Sequence, residues 1–309
     1  MNRVSTTGNY SAVLANIQAA QQRQRDAGNQ VATQKQGTDL KSYARHAEML
    51  TAMKSIDARL GGYLDQNKLI SDKLTTQDFA LRQVSSAAEG SRETIAQALA
   101  SGRSDTLLQD IAGFFRNAVD GLNARYGGKY VFAGGQIDTL PVSATSLGDL
   151  TAPPAIIANF FHNDQFVTEA KVDDSTTVST GLLADKLGTR LLTAFQDFQA
   201  FQEGPNGPFQ GNLTDNQRTY LEGVLANWDS LNKDLINDTA RNGMVQTRVD
   251  SVKADLVSRQ NSLAGMMGDI TDADPAEAAT ALQQAGVAVQ AAAQVFLSLQ
   301  SSSLLNILR

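Results

Sequence analysis

Residues 56–98 read IDARLGGYLDQNKLISDKLTTQDFALRQVSSAAEGSRETIAQA, and their spacing decides the fold. A 4-3 alternation runs through Ile56, Leu60, Tyr63, Asn67, Ile70, Leu74, Gln77, Leu81, Val84, Ala88, Ser91, Ile95 and Ala98. This is the seam of a coiled coil, interrupted by polar residues at 67, 77 and 91. The same alternation resumes at Leu221 and continues through Val224, Trp228, Leu231, Leu235, Asp238, Asn242, Val245, Val249, Val252, Leu256, Arg259, Leu263 and Met266. The two seams match in length, so the second is expected to be the antiparallel partner of the first. Gly102 is placed to end the first helix, and Ser104 or Asp105 to cap a shorter one with the face Leu107, Leu108, Ile111, Phe114, Phe115, Ala118, Val119 and Leu122.

Between the seams the character changes. Gly127-Gly128 opens the aromatic, β-branched run Lys129-Tyr130-Val131-Phe132-Ala133, closed by Gly134-Gly135, and five prolines (141, 153, 154, 205 and 208) fall before residue 212. Strands are predicted at 166–172 and 176–179 about a turn at Asp173-Asp174, followed by an amphipathic stretch from Leu182 to Phe201. The fold class is therefore mainly α: long antiparallel coiled-coil helices from the N- and C-terminal halves, with a small inserted α+β domain. Tyr130, Phe160, Phe161 and Phe166 fit the core of that insert; an exposed cluster of them would instead make a binding surface.

The two ends are narrower. Val13, Ile17, Ala20, Ala27 and Val31 mark a modest amphipathic helix, and 33–42 has no periodicity and reads as a connector. Asp274-Pro275-Ala276-Glu277 supplies N-cap, N1 and N3 residues for a final helix. Its seam is Ala278, Leu282, Ala285, Val289, Ala292, Phe296, Leu299 and Ser303, with no charged residue between Glu277 and Arg309. Five glutamines between 283 and 300 weigh against a membrane span. Residues 1–60 carry eight Lys/Arg against four acids, and residues 260–309 one against four, so the ends are electrostatically complementary. Seams of small residues suit these helices to pair with each other and then with neighbouring copies, recovering their ordering cost on polymerisation.

Composition excludes several classes. There is no cysteine among the 309 residues, hence no disulfide or thiolate site, and the two histidines, His46 and His162, are too far apart in sequence to suggest a metal motif. A net charge of −6 argues against nucleic-acid wrapping. Neither glycine pair is followed by the Lys-Ser/Thr of a phosphate loop, and Asp173-Asp174 and Asp272/Asp274 read as a turn and a helix cap. No catalytic, cofactor-binding or metal residues are expected. The polar start, Met1 to Gly8, lacks the apolar core of a cleavable signal peptide, so any export is expected to use another route.

The opening Arg3-Val4-Ser5-Thr6, the stretches Asn16-Ile17-Gln18 and Gln30-Val31-Ala32-Thr33, the segment from Asp269 to Glu277 and the closing Ser303-Leu304-Leu305-Asn306-Ile307-Leu308-Arg309 together resemble the flagellin superfamily. Gly128-Lys129-Tyr130-Val131-Phe132-Ala133-Gly134-Gly135 is similar to the Tyr-x-Phe-x-Gly step at which its hook-filament junction proteins enter their inserted domain. Thr33-Gln34-Lys35 and Asp39-Leu40 depart from the Thr-Gly-Lys turn and acidic Asp-Pro stretch usual after the first helix.

The resemblance implies a structural subunit of the bacterial flagellum joining hook to filament, with filament flagellin as the alternative and a surface-binding homologue as a more distant one. It also implies extracellular location through type III export. The implied partners are further copies of the chain, the adjacent hook-associated protein, filament flagellin and an export chaperone on the C-terminal helix. The expected segments are 1–45 and 267–309 for the inner polymerisation domain, 46–128 and 213–266 for the rod, and 129–212 for the outer insert. The expected assembly interface comprises Val13, Ile17, Ala20, Val31, Leu282, Ala285, Val289, Ala292, Phe296, Leu299, Leu304, Leu305 and Leu308.

Overall fold

The computed structural model describes residues 3–307, with side chains described for 11–300. Seven α-helices are found among the described residues: α1 Arg3–Thr33, α2 Ala47–Ser101, α3 Leu107–Leu122, α4 Leu147–Thr151, α5 Ala184–Glu203, α6 Asp215–Thr271 and α7 Pro275–Ile307. Beside them stand two 3-10 helices, Leu40–His46 and Ile157–Phe160, and two small hairpins, β1 Arg125–Tyr126 with β2 Lys129–Tyr130, and β3 Glu169–Lys171 with β4 Thr177–Ser179. The chain is mainly α with a small α+β insert. It divides into two compact units, one of residues up to Leu60 and from Ser258 onward, the other of Gly61–Val257.

The larger unit is organised by the two seams. Leu74, Leu81, Val84, Ala88 and Ile95 of α2 are buried, as are Leu221, Trp228, Leu231, Leu235, Val249, Val252 and Leu256 of α6. The helices are antiparallel: Ser85 Oγ donates to Asn232 Oδ1 at 3.1 Å, and Asn242 Nδ2 to the Leu74 carbonyl at 3.0 Å. α3 lays its apolar face on this pair, with Ile111, Phe115 and Leu122 wholly buried. α5 adds Leu191, Leu192, Phe195 and Phe198 to the same core. Phe195 sits at its centre, edge-on to Phe115 at 5.4 Å between ring centroids and to Trp228 at 5.0 Å, the geometry the aromatic quadrupole favours.

Two of the three polar breaks in the first seam hold the insert, while Ser91 donates back to the Ala87 carbonyl of its own helix. Asn67 and Gln77 have no solvent exposure; Asn67 Nδ2 donates to the Val172 carbonyl at 2.8 Å and Gln77 Nε2 to the Thr180 carbonyl at 3.0 Å. Those carbonyls flank the β3–β4 hairpin, whose register pairs Ala170 with Val178. One turn earlier on α2, Tyr63 donates its hydroxyl to Asp174 in the hairpin's turn at 3.1 Å. A coiled-coil position given to an amide here faces main chain, which an apolar side chain would leave unpaired.

Several local expectations are corrected. α2 ends as expected at Gly102, whose φ of +69° is the left-handed conformation that favours glycine. Ser104 and Asp105 do not cap α3; the N-cap position is Thr106, without a side-chain cap bond. Ser104 instead donates its amide to the Gly211 carbonyl at 2.9 Å, and Asp105 accepts from the Gly211 amide, so both tie the start of α3 to the chain entering α6. The predicted strand over 166–172 is paired only at 169–171, leaving Phe166 exposed. Tyr130 is buried, and Phe160 and Phe161 pack partly buried against the core, so the four aromatics form no exposed cluster. Gly127 and Gly128, at φ +56° and +82°, make the two-residue turn between β1 and β2. At the far end of the seams Ile56, Arg259 and Met266 are exposed, and the buried positions are Met53, Leu60 and Leu263.

Candidate assembly surface

The smaller unit contains the helices that bear the expected interface. α1 and α7 pack along each other, with Ala20 and Ala27 of one and Ala278 and Ala285 of the other buried. Small side chains let the backbones approach: a Cβ built at Gly28 would lie 3.9 Å from Leu282 Cδ1. α7 starts as its sequence dictates, with Asp274 Oδ1 accepting from the amides of Ala276 and Glu277 at 2.7 and 3.2 Å.

The turn between α6 and α7 is tied to the connector after α1. Gln36 donates its amide to the Thr271 carbonyl at 2.8 Å, and Ala273 donates to the Gln34 carbonyl at 2.9 Å. Lys35 forms an ion pair with Asp272 and also donates to Thr271 Oγ1 at 3.2 Å. The Lys35 and Thr271 hydrogen bonds hold the Asp272 carboxyl below its ordinary range. The connector is not featureless: Asp39 accepts from Ser42 through its amide and hydroxyl at 3.0 and 2.9 Å, starting a 3-10 turn over Leu40–His46. Tyr43 then donates its hydroxyl to the Gly37 carbonyl at 2.7 Å.

The residues expected at the assembly interface fall into three groups. Val13, Ile17 and Ala20 on α1, and Leu282, Ala285, Val289, Ala292, Phe296 and Leu299 on α7, are buried or half-buried. Val31 is exposed. The side chains of Leu304, Leu305 and Leu308 lie outside the described residues. A second apolar set was not anticipated: Leu14 on α1 and Val287, Val295 and Leu297 on α7 are each about half exposed or more. A heptad reading fixes on one stripe and assigns everything else to solvent. The signal for a second face was the absence of charge on every side of α7 beyond Glu277 in its first turn.

Among the described residues, no group of three or more His, Cys, Asp or Glu is arranged to hold a metal ion, and no helix is long and apolar enough to cross a membrane.

Residues 225–308, spanning α6 beyond its first ten residues and the whole of α7, match the family model of the bacterial flagellin C-terminal helical region. The C-terminal stretch is flagellin-like. The fold agrees over a larger span. A flagellar hook-associated protein of Vibrio parahaemolyticus is similar with a TM-score of 0.61 at 14% identity, over 75% of this chain and 100% of that one. FlgL of Bacillus cereus is similar with a TM-score of 0.55 at 15% identity, over 70% of this chain and 99% of that one. No curated protein sequence matches the chain.

Proposed function

We propose that this flagellin-like chain is a structural subunit of the bacterial flagellum and that it joins hook to filament. The observation that carries the reading is the uncovered apolar set on α1 and α7: Leu14, Val31, Val287, Val295 and Leu297 are exposed on helices that already bury a seam against each other. Such a pair has one face for its own subunit and another for neighbours. Copies stacking through that second face would remove it from water. The expected interface of 1–45 and 267–309 then has two roles. The half-buried positions such as Val289 and Phe296 hold the helix pair together, and the exposed positions meet other subunits.

Two features favour a junction over a filament. The two solved structures compared above are named as a hook-associated protein and an FlgL, and the Tyr130-Val131-Phe132-Ala133-Gly134 step resembles the one by which junction proteins enter their insert. In this reading residues 129–212 form the outer part, 46–128 and 213–266 the rod, and the chain is exported to the cell surface. An export chaperone covers the C-terminal helix, uncharged beyond its first turn, before assembly, and the adjacent hook-associated protein and filament flagellin are the chain's neighbours afterwards.

The test is deletion of the gene, with electron microscopy of the cell surface and assay of flagellin in the medium. Hooks without filaments, with flagellin lost to the medium, are expected. Intact hooks with little flagellin anywhere would identify a filament subunit instead, and unchanged flagella would refute both.

A further inference from the structure

A cavity of about 340 Å³ opens between α2 and the β1–β2 hairpin of the larger unit, lined by Lys73, Tyr126, Gly127, Lys129, Tyr130 and Ile137 among others. Its charges are unbalanced. Lys129 is paired with Asp138 at 2.5 Å. The lining residue Tyr130 is itself engaged by Arg125, which lies over its ring at 4.2 Å from the centroid and donates to its hydroxyl. Lys73 is half-buried, and among the described residues it has no carboxylate partner. Of the two lysines that line the cavity, Lys129 thus has a carboxylate partner and Lys73 has none among the described residues.

The position of Lys73 is not that of an ordinary surface lysine. It lies on α2 one turn before Gln77, which faces the insert, and burial lowers its pKa with no compensating charge. A lysine free to extend into water would not carry that desolvation. Tyr126 is partly buried, Tyr130 buried and Ile137 exposed, so the cavity combines aromatic and aliphatic walls with one uncompensated ammonium. Sites that take small ligands are mostly apolar with a few placed polar groups, and this one has that composition.

We infer that the cavity is a binding site for a small carboxylate carried on a ring, with Lys73 as the counter-charge to the carboxylate and Tyr126 and Ile137 against the ring. An aromatic acid and a sugar acid both present this chemistry. The volume admits one ring of either kind. The site is independent of the assembly surface, because every residue lining it belongs to the larger unit.

The experiment titrates the full chain with sodium benzoate, sodium glucuronate and neutral benzamide, following the Lys73 side-chain and Tyr126 ring resonances by NMR. Saturable shifts with at least one carboxylate and none with benzamide are expected. Lys73→Gln should weaken that binding by about ten-fold or more, and Lys73→Arg should restore much of it. Preference for benzoate would assign an aromatic acid, and preference for glucuronate a sugar acid. The Trp228 unfolding transition of each variant, unchanged from the parent, establishes that the fold is retained. Absence of saturable shifts with both carboxylates would overturn the inference, as would benzamide binding as well as benzoate or carboxylate binding that survives Lys73→Gln.

Discussion

Phe195 is the ring on which α5 is fixed to α3 and α6, and removing it should loosen the larger unit by an amount that follows from its contacts. The side chain is wholly buried and makes two edge-to-face contacts, with Phe115 and Trp228. Truncating a buried Phe to Ala costs about 3–5 kcal/mol through lost transfer energy and the cavity left behind. Each aromatic pair adds about 0.5–1.5 kcal/mol beyond its buried area. Phe195→Leu keeps most of the apolar volume and loses chiefly the ring contacts, for an expected loss of about 2 kcal/mol; Phe195→Ala should lose about 4 kcal/mol.

Trp228 is the only tryptophan in the chain, so its emission reports this core without added labels. In a urea titration with a slope of about 2 kcal/mol per M, the midpoint should fall by about 1 M for Leu and about 2 M for Ala. A shift below about 0.5 M for Phe195→Ala would refute the view that this ring organises the core.

The two apolar sets on the terminal helices should separate. Val287→Asp with Leu297→Asp should stop polymerisation and leave circular dichroism of the monomer unchanged. Val289→Asp with Phe296→Asp should also lower its helicity, because those side chains are half-buried and would carry charge out of water. Lys35→Ala should speed hydrogen exchange at the amides of Gln36 and Ala273, which the Lys35–Asp272 pair brackets, without moving the Trp228 transition. Asp149 caps α4 by accepting from the Thr145 amide and hydroxyl and from Ser146, which lowers its pKa from 3.8 to about 2. A depressed carboxylate stabilises the fold above its unfolded pKa and loses that contribution as pH falls through the folded value. Allowing for solvent screening, Asp149→Asn should cost about 1 kcal/mol at pH 7 and almost nothing at pH 2 and below, measured by the same urea titration.

The parts of the fold legible in the sequence were those in which one interaction repeats many times. Two helices of more than fifty residues announce themselves through position after position of the same alternation, and Gly102 and Asp274 mark helix boundaries because their chemistry suits little else there. Single tertiary contacts were not legible. Asn67 and Gln77 looked like interruptions of a seam, since nothing local says that the carbonyls of Val172 and Thr180 will arrive beside them. Ser104 and Asp105 had the right chemistry for a cap but met Gly211, more than a hundred residues away. Ile56 and Met266 show a related limit: apolar side chains on a long helix can be carried past the buried stripe as it turns. At the assembly surface the seam was legible and the outward set was not, because a two-stranded pattern accounts for one face only.

The grip of α2 on the β3–β4 hairpin has a consequence for how the insert can change over time. Asn67 and Gln77 hold main-chain oxygens, which every amino acid possesses, and so they are indifferent to which side chains the hairpin carries. A segment anchored in this way can exchange its outward residues, Glu169, Lys171, Thr177 and Ser179 among them, as long as the path of its backbone is kept. α2 thereby supplies a socket that tolerates many surfaces, and what the hairpin presents to solvent can be rewritten without redesigning what holds it.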